Sequence, residues 1–173
     1  MLSLSTTAIA KASVGSTAIQ KISLGTTLLW SAVTFVPVSA KLNATYATAT
    51  SYAQVTGWAA DTTAYPGSTV SSNKLVIPAA GTGVTLSCSI PFSGASGYAY
   101  DLTLRLVLDG TVIATGTKAT AAAYGTATAT VSIAGQSVNA GSLLMVEALG
   151  GSPIFGTPTL NADTNSFLRA IIP

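Results

Sequence analysis

The feature that most constrains the fold is a two-residue alternation of apolar and polar side chains, which recurs along the chain. In DLTLRLVLDG, leucines occupy every second position from Leu102 to Leu108. A period of two places successive side chains on opposite faces of a β-strand. Asp109-Gly110 then supplies a dipeptide typical of tight hairpin turns, and TVIAT returns as the partner strand. The sequence therefore predicts an antiparallel hairpin at this point.

Similar runs are spread over most of the chain. The alternation recurs in VTLSCSI, from Val84 to Ile90, and in ATATVSIAG, from Ala127 to Ile133. Further strand candidates are KLVIP, SLLMVEAL and the terminal SFLRAIIP, and clusters of Gly and Pro separate these runs. No helical spacing of apolar residues persists beside Glu, Lys and Gln. We therefore predict an all-β chain, an antiparallel sandwich or barrel with almost no helix.

Charge is scarce, and this limits the kinds of partner. Only 7% of residues are charged, whereas an ordinary globular chain carries roughly 25%. Such a surface is weakly protected against association, which favours a chain that lives inside an assembly. The alternative is a secreted sandwich with a Thr/Ser surface. The net charge is +2 and the seven cations are scattered, so we expect no nucleic-acid binding.

The first 40 residues contain a duplicated phrase. Ala8 to Thr17 and Ala18 to Thr27 share an Ala-Ile-x-Lys-x-Ser-x-Gly-x-Thr pattern. We predict that the two copies pair as a small β-ribbon in an N-terminal docking arm, residues 1–40, ahead of a sandwich spanning 41–173. The alternative makes them the first two strands of one domain. The apolar run LLWSAVTFVPVSAK is too short and too deep in the chain for a membrane span or signal peptide, so we expect no membrane insertion.

Two resemblances follow from these phrases. The second copy, AIQKISLGTTLLW, resembles a phrase common at the start of tail-associated proteins of tailed phages that infect actinobacteria. The matching residues are Lys21, Ile22, Leu24, Gly25, Thr26, Thr27 and Trp30. The rest resembles a C1q/TNF-type jelly roll in VTGWAADTTAYPG, KLVIPAAGTGVTLSCSIPF, VNAGSLLMVEA and NSFLRAII. This resemblance implies a jelly-roll β-sandwich, a homotrimer, and a last strand that is central in its sheet.

Residues that carry catalytic or metal chemistry are few. The chain has no histidine, which excludes imidazole triads and His-based metal sites. Asp61 with Asp163 is the one carboxylate pair worth testing for glycoside chemistry. The segment NADTN, Asn161 to Asn165, offers calcium ligands or, alternatively, a polar turn. Cys88 is the only cysteine and shares the strand parity of buried residues, so we predict a buried thiol rather than a reactive one. We expect no enzyme, no cofactor and no metal.

Two sets of binding residues are predicted. The docking set of the arm consists of Ile9, Lys11, Ile19, Lys21, Ile22, Leu24 and Trp30. A strand edge with such alternating side chains suits addition to a neighbouring sheet. Tyr98 and Tyr100, in the loop-like SGASGYAYD, are candidate ligand contacts.

Three functions remain open from the sequence. The first is a non-enzymatic, trimeric phage virion component that attaches to the tail through its arm, as a minor tail protein does. The second is a capsid decoration protein that sits at threefold positions and contacts the major capsid protein. The third is a module that binds a host receptor or surface glycan. All three place the protein in the virion, after synthesis in the host cytoplasm.

Overall fold

The chain folds into two compact units, Met1–Thr34 and Phe35–Pro173. The computed structural model describes residues 12–14, 17–19, 21–24, 27–31, 34–94, 97–152, 154 and 156–173. These residues form strands, turns and irregular segments with no helix, which confirms the all-β prediction. Accordingly, the described part of the chain contains no helix with the length and hydropathy to cross a membrane.

The first unit contains four short strands in two hairpins. They are β1 (Ala12–Val14), β2 (Thr17–Ile19), β3 (Lys21–Leu24) and β4 (Thr27–Ser31). Strand β1 pairs antiparallel with β2, and β3 pairs antiparallel with β4. Val14 faces Thr17 across two intervening residues, and Leu24 faces Thr27 in the same way.

The predicted pairing of one copy with the other is found in the first hairpin, where Ala12 and Ser13 of the first copy pair with Ile19 and Ala18 of the second. The second hairpin, which the sequence did not predict, joins the second copy to the residues that follow its Gly-Thr dipeptide. The physical reason is loop length, because strands separated by two residues close the smallest loop and lose the least chain entropy. The duplication consequently yields two hairpins in equivalent positions of the repeat.

The second unit contains the other fourteen strands of the described chain. They are β5 (Val38–Leu42), β6 (Tyr46–Ala47), β7 (Ala53–Gln54), β8 (Trp58–Ala60), β9 (Val70–Ser71), β10 (Lys74–Val76), β11 (Gly81–Ser93), β12 (Tyr100–Leu108), β13 (Thr111–Thr115), β14 (Ala119–Ala121), β15 (Thr126–Val138), β16 (Leu143–Gly150), β17 (Thr159–Leu160) and β18 (Phe167–Ile171).

These strands form two antiparallel sheets. Sheet 1 has the order β13-β12-β16-β10-β9, with β14 also paired to β12 and β7 also paired to β16. Sheet 2 has the order β6-β17-β11-β18-β5-β8, with β15 also paired to β11. Apart from the hairpins β12–β13 and β9–β10, many neighbours in the two sheets come from distant parts of the chain, as in a jelly roll. The last strand, β18, lies between β11 and β5, the interior position that the jelly-roll resemblance implies.

Strand β5 crosses the boundary at residue 40 that the sequence suggested. Val38 and Ala40 pair with β18, and Ala40 also pairs with β8. Both side chains are fully buried. The chain enters the sandwich near Phe35, so residues 35–40 belong to the second unit.

The core lies between the two sheets and follows the alternation read from the sequence. On β12, Leu102, Leu104 and Leu106 have no exposed surface, and the intervening Thr103 and Arg105 are partly exposed. The same alternation buries the apolar positions of β11, β15 and β16. Burial of these apolar side chains provides the main favourable term for this fold.

Val107 departs from this pattern because it is buried although it shares the parity of Arg105. A register shift between Leu106 and Val107 places Val112 opposite Val107 on β13. Met145 faces Val107 from β16 on the other side. Val107 is therefore buried outside the core, because it packs beside Val112 and Met145 in a small apolar cluster on the outer face of sheet 1.

The predicted Asp-Gly hairpin is confirmed. Asp109 and Gly110 adopt φ values of 49° and 85°, which are typical of a type I′ turn. Leu108 pairs with Thr111 across the turn. The Asp109 carboxylate also accepts the backbone N–H of Leu143 at 2.7 Å, which ties the turn to β16.

Glycine shapes the long β11–β15 ladder at two bulges. Gly83 and Gly135 each have φ of 72°, and they coincide with two register shifts in the pairing of these strands. A bulge of this type bends the strand and increases its twist, which makes an edge less suitable for uncontrolled pairing. The end of the β15 edge strand is therefore twisted rather than flat.

Candidate functional site

The first candidate site is the pair of N-terminal hairpins. Ile22 lies directly opposite Trp30 in the β3–β4 register, and Lys21 lies opposite Ser31. The Lys21 side chain is exposed, whereas the Ile22 side chain is half-buried. In the other hairpin Ile19, also half-buried, lies opposite Ala12. Ile19, Lys21, Ile22, Leu24 and Trp30 of the predicted docking set therefore lie on strands, and Ile9 and Lys11 lie outside the described residues.

The carboxylates of the second unit are engaged in separate contacts. Lys41 Nζ lies 3.1 Å from Asp61, Lys118 Nζ lies 2.7 Å from Asp101, and Arg105 Nε lies 2.5 Å from Glu147. Within the described residues no three of the His, Cys, Asp and Glu side chains cluster in a way that could hold a metal ion. These contacts are those of structural ion pairs.

Asp61 shapes a loop that covers sheet 2. Its side chain is almost fully buried, and its Oδ1 accepts the Ala64 N–H at 3.4 Å in addition to the contact with Lys41. The loop that follows places Ser68 Oγ against the backbone N–H of Ser39, at 2.9 Å. Ser39, although its side chain points away from the core, is therefore fully buried. The role of Asp61 in the structure is to hold this covering loop.

Asp163 lies near the same strand. It lines an open pocket of about 330 Å³ together with Lys41 and Asn43. Its side chain accepts the N–H of Asn165, and its carbonyl accepts both the N–H and the hydroxyl of Ser166, at 3.1 and 2.7 Å. Asn161 to Asn165 thus forms the polar turn that was the alternative to a calcium loop. Asp61 and Asp163 both adjoin Lys41, but they do not share a hydrogen bond in the structure described.

Cys88 is buried at 1% exposure within the core, on the same face of β11 as Leu86 and Ile90. Burial without a charged neighbour strongly raises the pKa of its thiol, because the apolar core disfavours a thiolate. Cys88 therefore packs as a small apolar side chain.

Two arginines on the sheet surfaces pack against aromatic rings. The Arg105 guanidinium lies 4.0 Å from the centroid of the Tyr52 ring while it pairs with Glu147. The Arg169 guanidinium lies 4.1 Å from the Phe167 ring centroid and 5.2 Å from that of Tyr65. Such contacts shield the cation and anchor long side chains over the sheet. These aromatic residues therefore have a structural explanation.

The second candidate site lies at the loops near the start of β12. Tyr98 is 53% exposed, whereas Tyr100 is 3% exposed and lines a small pocket. Two further exposed side chains, Tyr124 and Ile154, lie on neighbouring loops, at 79% and 82% exposure. Sequence reasoning missed this grouping, although a tyrosine before a turn glycine in AAYG was a usable signal for Tyr124.

Asp101 lies beside this pocket and is held ionised. A hydrogen bond from Lys118, then one from Thr120, lowers the pKa of its carboxyl below the ordinary value. The Lys118 and Thr120 contacts measure 2.7 and 2.6 Å. Because Lys118 pairs with Asp101, the surface beside this pocket carries no uncompensated charge from Asp101.

Comparison with known proteins identifies the architecture of the second unit. The structure of Eiger TNF from S. frugiperda superposes with a TM-score of 0.52 and 11% sequence identity, over 80% of this chain and 92% of that one. The fold is a TNF-like jelly roll. At this identity the likeness shows the fold alone. No protein-family profile and no curated protein sequence matches the chain.

Proposed function

We propose that the protein is a non-enzymatic structural component of a phage virion, trimeric through its jelly roll and attached to the tail by its N-terminal unit. The observation that carries this proposal is the first unit itself. Its duplicated phrase forms two hairpins in equivalent positions, and it is compact separately from the sandwich. The phage-tail resemblance of the phrase around Lys21 to Trp30 supports the virion as its setting.

The hairpins are suited to docking because a two-stranded sheet leaves edges available. An isolated two-stranded ribbon is marginally stable alone, so a partner surface would stabilise it. Addition to a neighbouring sheet supplies backbone hydrogen bonds, and alternating side chains such as the half-buried Ile22 supply specificity. Two similar hairpins allow one chain to make two similar contacts, the second at high effective concentration.

The jelly-roll surface supports association between copies. The two longest strands, β11 and β15, contain no charged residue. Their outer faces carry hydroxyl side chains, for example Ser89 opposite Thr130 and Ser87 opposite Ser132. A copy that covers these two strands would desolvate no charge on them, and Arg169, which pairs with Ser87 from β18, is a charged residue at the border of this face.

The arrangement of carboxylates supports a role without catalysis. General acid–base chemistry needs groups that are free to exchange a proton near the substrate. In the described chain Asp61, Asp101 and Glu147 each face a Lys or Arg partner, and Asp109 holds a turn. Their contacts explain their positions without a substrate.

Deletion of residues 2–34 tests the proposal, since it removes the first unit at its boundary. We expect a folded, soluble jelly roll that no longer enters particles when it is supplied during infection by the phage that encodes it. Thermal unfolding and fractionation of purified particles measure the two properties. A truncated protein that still enters particles contradicts docking through this unit, and one that fails to fold contradicts its independence.

Point variants refine this test while they keep the chain complete. Ile22→Ser and Trp30→Ser alter the paired docking positions, and Val112→Ser is the matched control at an exposed apolar position of the jelly roll. We expect incorporation to fall for the first two variants only. Gold labelling of particles in the electron microscope then locates the protein. Label on the head shell instead of the tail would replace the tail role with capsid decoration.

A further inference from the structure

Three loops meet at one end of the jelly roll because of the strand pairing. Tyr100 at the start of β12 pairs with Ala121 at the end of β14, and Leu102 pairs with Gly150 at the end of β16. The loops before Tyr100, after Ala121 and after Gly150 therefore leave the sheet side by side. A backbone hydrogen bond from Gly151 N–H to the Asp101 carbonyl, at 3.2 Å, ties two of them together.

These loops expose three large side chains at the surface. Tyr98, Tyr124 and Ile154 are 53%, 79% and 82% exposed. A Cβ built on Gly97 would lie 3.7 Å from the Tyr124 hydroxyl, so the phenol lies against the backbone beside Tyr98. Burial in the sandwich therefore does not explain these three side chains, which suits contact with a ligand.

The backbone conformation of Tyr124 is a second indication that this loop end contacts a ligand. Gly125 N–H donates to the Ala122 carbonyl at 2.9 Å, which places Tyr124 at the third position of a tight turn, with φ of 56°. Glycine is the residue that adopts this conformation without strain. A tyrosine here costs stability, and its ring, although it lies against the backbone at Gly97, is 79% exposed and returns little packing to the fold. Strain that the fold does not need is a common feature of functional positions.

A small pocket with both polar and apolar lining lies at the residues that follow Tyr98. It has a volume of about 140 Å³ and is lined by Ala99, Tyr100, Asp101, Gly151 and Ser152. Each Asp101 oxygen already accepts one hydrogen bond, from Lys118 or Thr120, and retains a lone pair for another donor. The Asp101–Lys118 pair compensates its own charge. The pocket therefore offers hydrogen-bond acceptors without net charge.

We propose that this loop end is a carbohydrate-binding site for neutral, hydroxyl-rich oligosaccharides. The face of an aromatic ring is negative and attracts the polarised C–H groups of a pyranose ring, so Tyr124 and Tyr98 form the stacking surface. Asp101 accepts sugar hydroxyls, and the exposed Ile154 adds apolar surface on the third loop. A cationic ligand would compete with Lys118 for Asp101, and an anionic one would face the carboxylate, so an uncharged sugar fits best.

The test uses the full chain and an array of neutral and uronate-containing oligosaccharides, followed by titration calorimetry with each neutral oligosaccharide that binds. We expect Tyr124→Gly to weaken binding by about tenfold or more, the range of a lost aromatic stacking contact. The same change should raise the midpoint of thermal unfolding, because it relieves the φ strain. Tyr124→Phe should retain binding, and Val112→Ala, at an exposed apolar position elsewhere, should bind like the original chain.

Other results of the same experiments would contradict the carbohydrate site. An array without binding overturns the proposal, as does binding confined to uronate-containing sugars. Binding that survives Tyr124→Gly combined with Tyr98→Ala places the sugar elsewhere and overturns the site. If the array is silent and Tyr124→Gly abolishes entry into particles, the loop end contacts another protein instead. The residues named in this site all belong to the second unit, so sugar binding by the chain that lacks residues 2–34 measures the site separately from docking.

Discussion

At the scale of single residues, glycine positions differ in what they contribute. A Cβ on Gly116 would lie 2.2 Å from the Thr130 carbonyl oxygen, so this glycine permits the β13–β14 connection to approach β15. Gly135 has φ of 72° but nothing within 4 Å of an added Cβ. Gly116 is required because there is no space for a side chain beside Thr130, and Gly135 is required because its φ is positive.

We therefore expect Gly116→Ala to destabilise the protein more than Gly135→Ala. A backbone clash costs about 3 kcal/mol or more, whereas a strained φ at an open position costs about 1 kcal/mol. Urea unfolding of the two variants measures the difference in the free energy of unfolding. Equal losses would mean that the two strands can separate at Gly116 at little cost.

The lowered pKa of Asp101 predicts how the stability of the protein depends on pH. A carboxyl whose pKa is lower in the folded state stabilises the protein above its unfolded pKa, and this contribution is lost as pH falls through the folded value. The ordinary value for this group is 3.8. Asp101→Asn should therefore lower the unfolding temperature slightly at neutral pH, and the difference should vanish well below pH 3.8.

Calorimetric scans from about pH 7 down to about pH 2 measure this difference across the range that linkage predicts. The effect should be small because the pair is exposed and screened by solvent. Asp163→Asn is a suitable comparison, since the Asp163 carboxylate accepts a backbone N–H and has no Lys or Arg partner among the described residues. A difference that grows towards acid pH would contradict the assigned sign.

At the scale of the element, β12 stabilises the protein mainly through the side chains on its inward face. Leu104 is fully buried between the sheets, and Thr128 on β15 is exposed. Leu104→Ala should cost about 2 to 5 kcal/mol, the range for a buried leucine that leaves a cavity. Thr128→Ala should change stability by no more than about 0.5 kcal/mol. Guanidinium unfolding tests both, and similar losses would show that the core does not lie on the predicted face.

The N-terminal repeat shows how far strand pairing can be predicted from local sequence. Strands were predicted in both copies, and the pairing of the first copy with the second is found between β1 and β2. The second hairpin was missed, because alternation and propensity say which residues extend but not which neighbour they join. The two-residue separation between Val14 and Thr17 decided the pairing, and the same separation recurs between Leu24 and Thr27.

At the scale of the whole molecule, the proposed trimer should be insensitive to salt. Charged residues make up 7% of the chain, and β11 and β15 have none. Screening weakens interactions between exposed charges, but it does not weaken contacts between apolar and hydroxyl surfaces. Sedimentation equilibrium in low and high salt should give a mass three times that of one chain in both. A stable monomer at micromolar concentration would contradict the trimer.

The sequence by itself determined the class of the fold and much of its detail. The alternation from Leu102 to Leu108 defines a strand with one buried face, and Asp109-Gly110 defines the turn that follows. The burial of Cys88 could be predicted from its parity with Leu86 and Ile90. These features are local, because side-chain period and turn conformation depend on residues close together in the chain.

Only the tertiary structure decided which distant residues meet. Tyr98, Tyr124 and Ile154 come from three separate loops, and the pairing of β12 with β14 and β16 brings those loops to one end. Asp101 gains its lowered pKa from Lys118 and Thr120, which the β13–β14 connection and β14 place beside it. No local pattern marks such contacts, because they follow from strand order and register, which the packing of the whole sandwich sets.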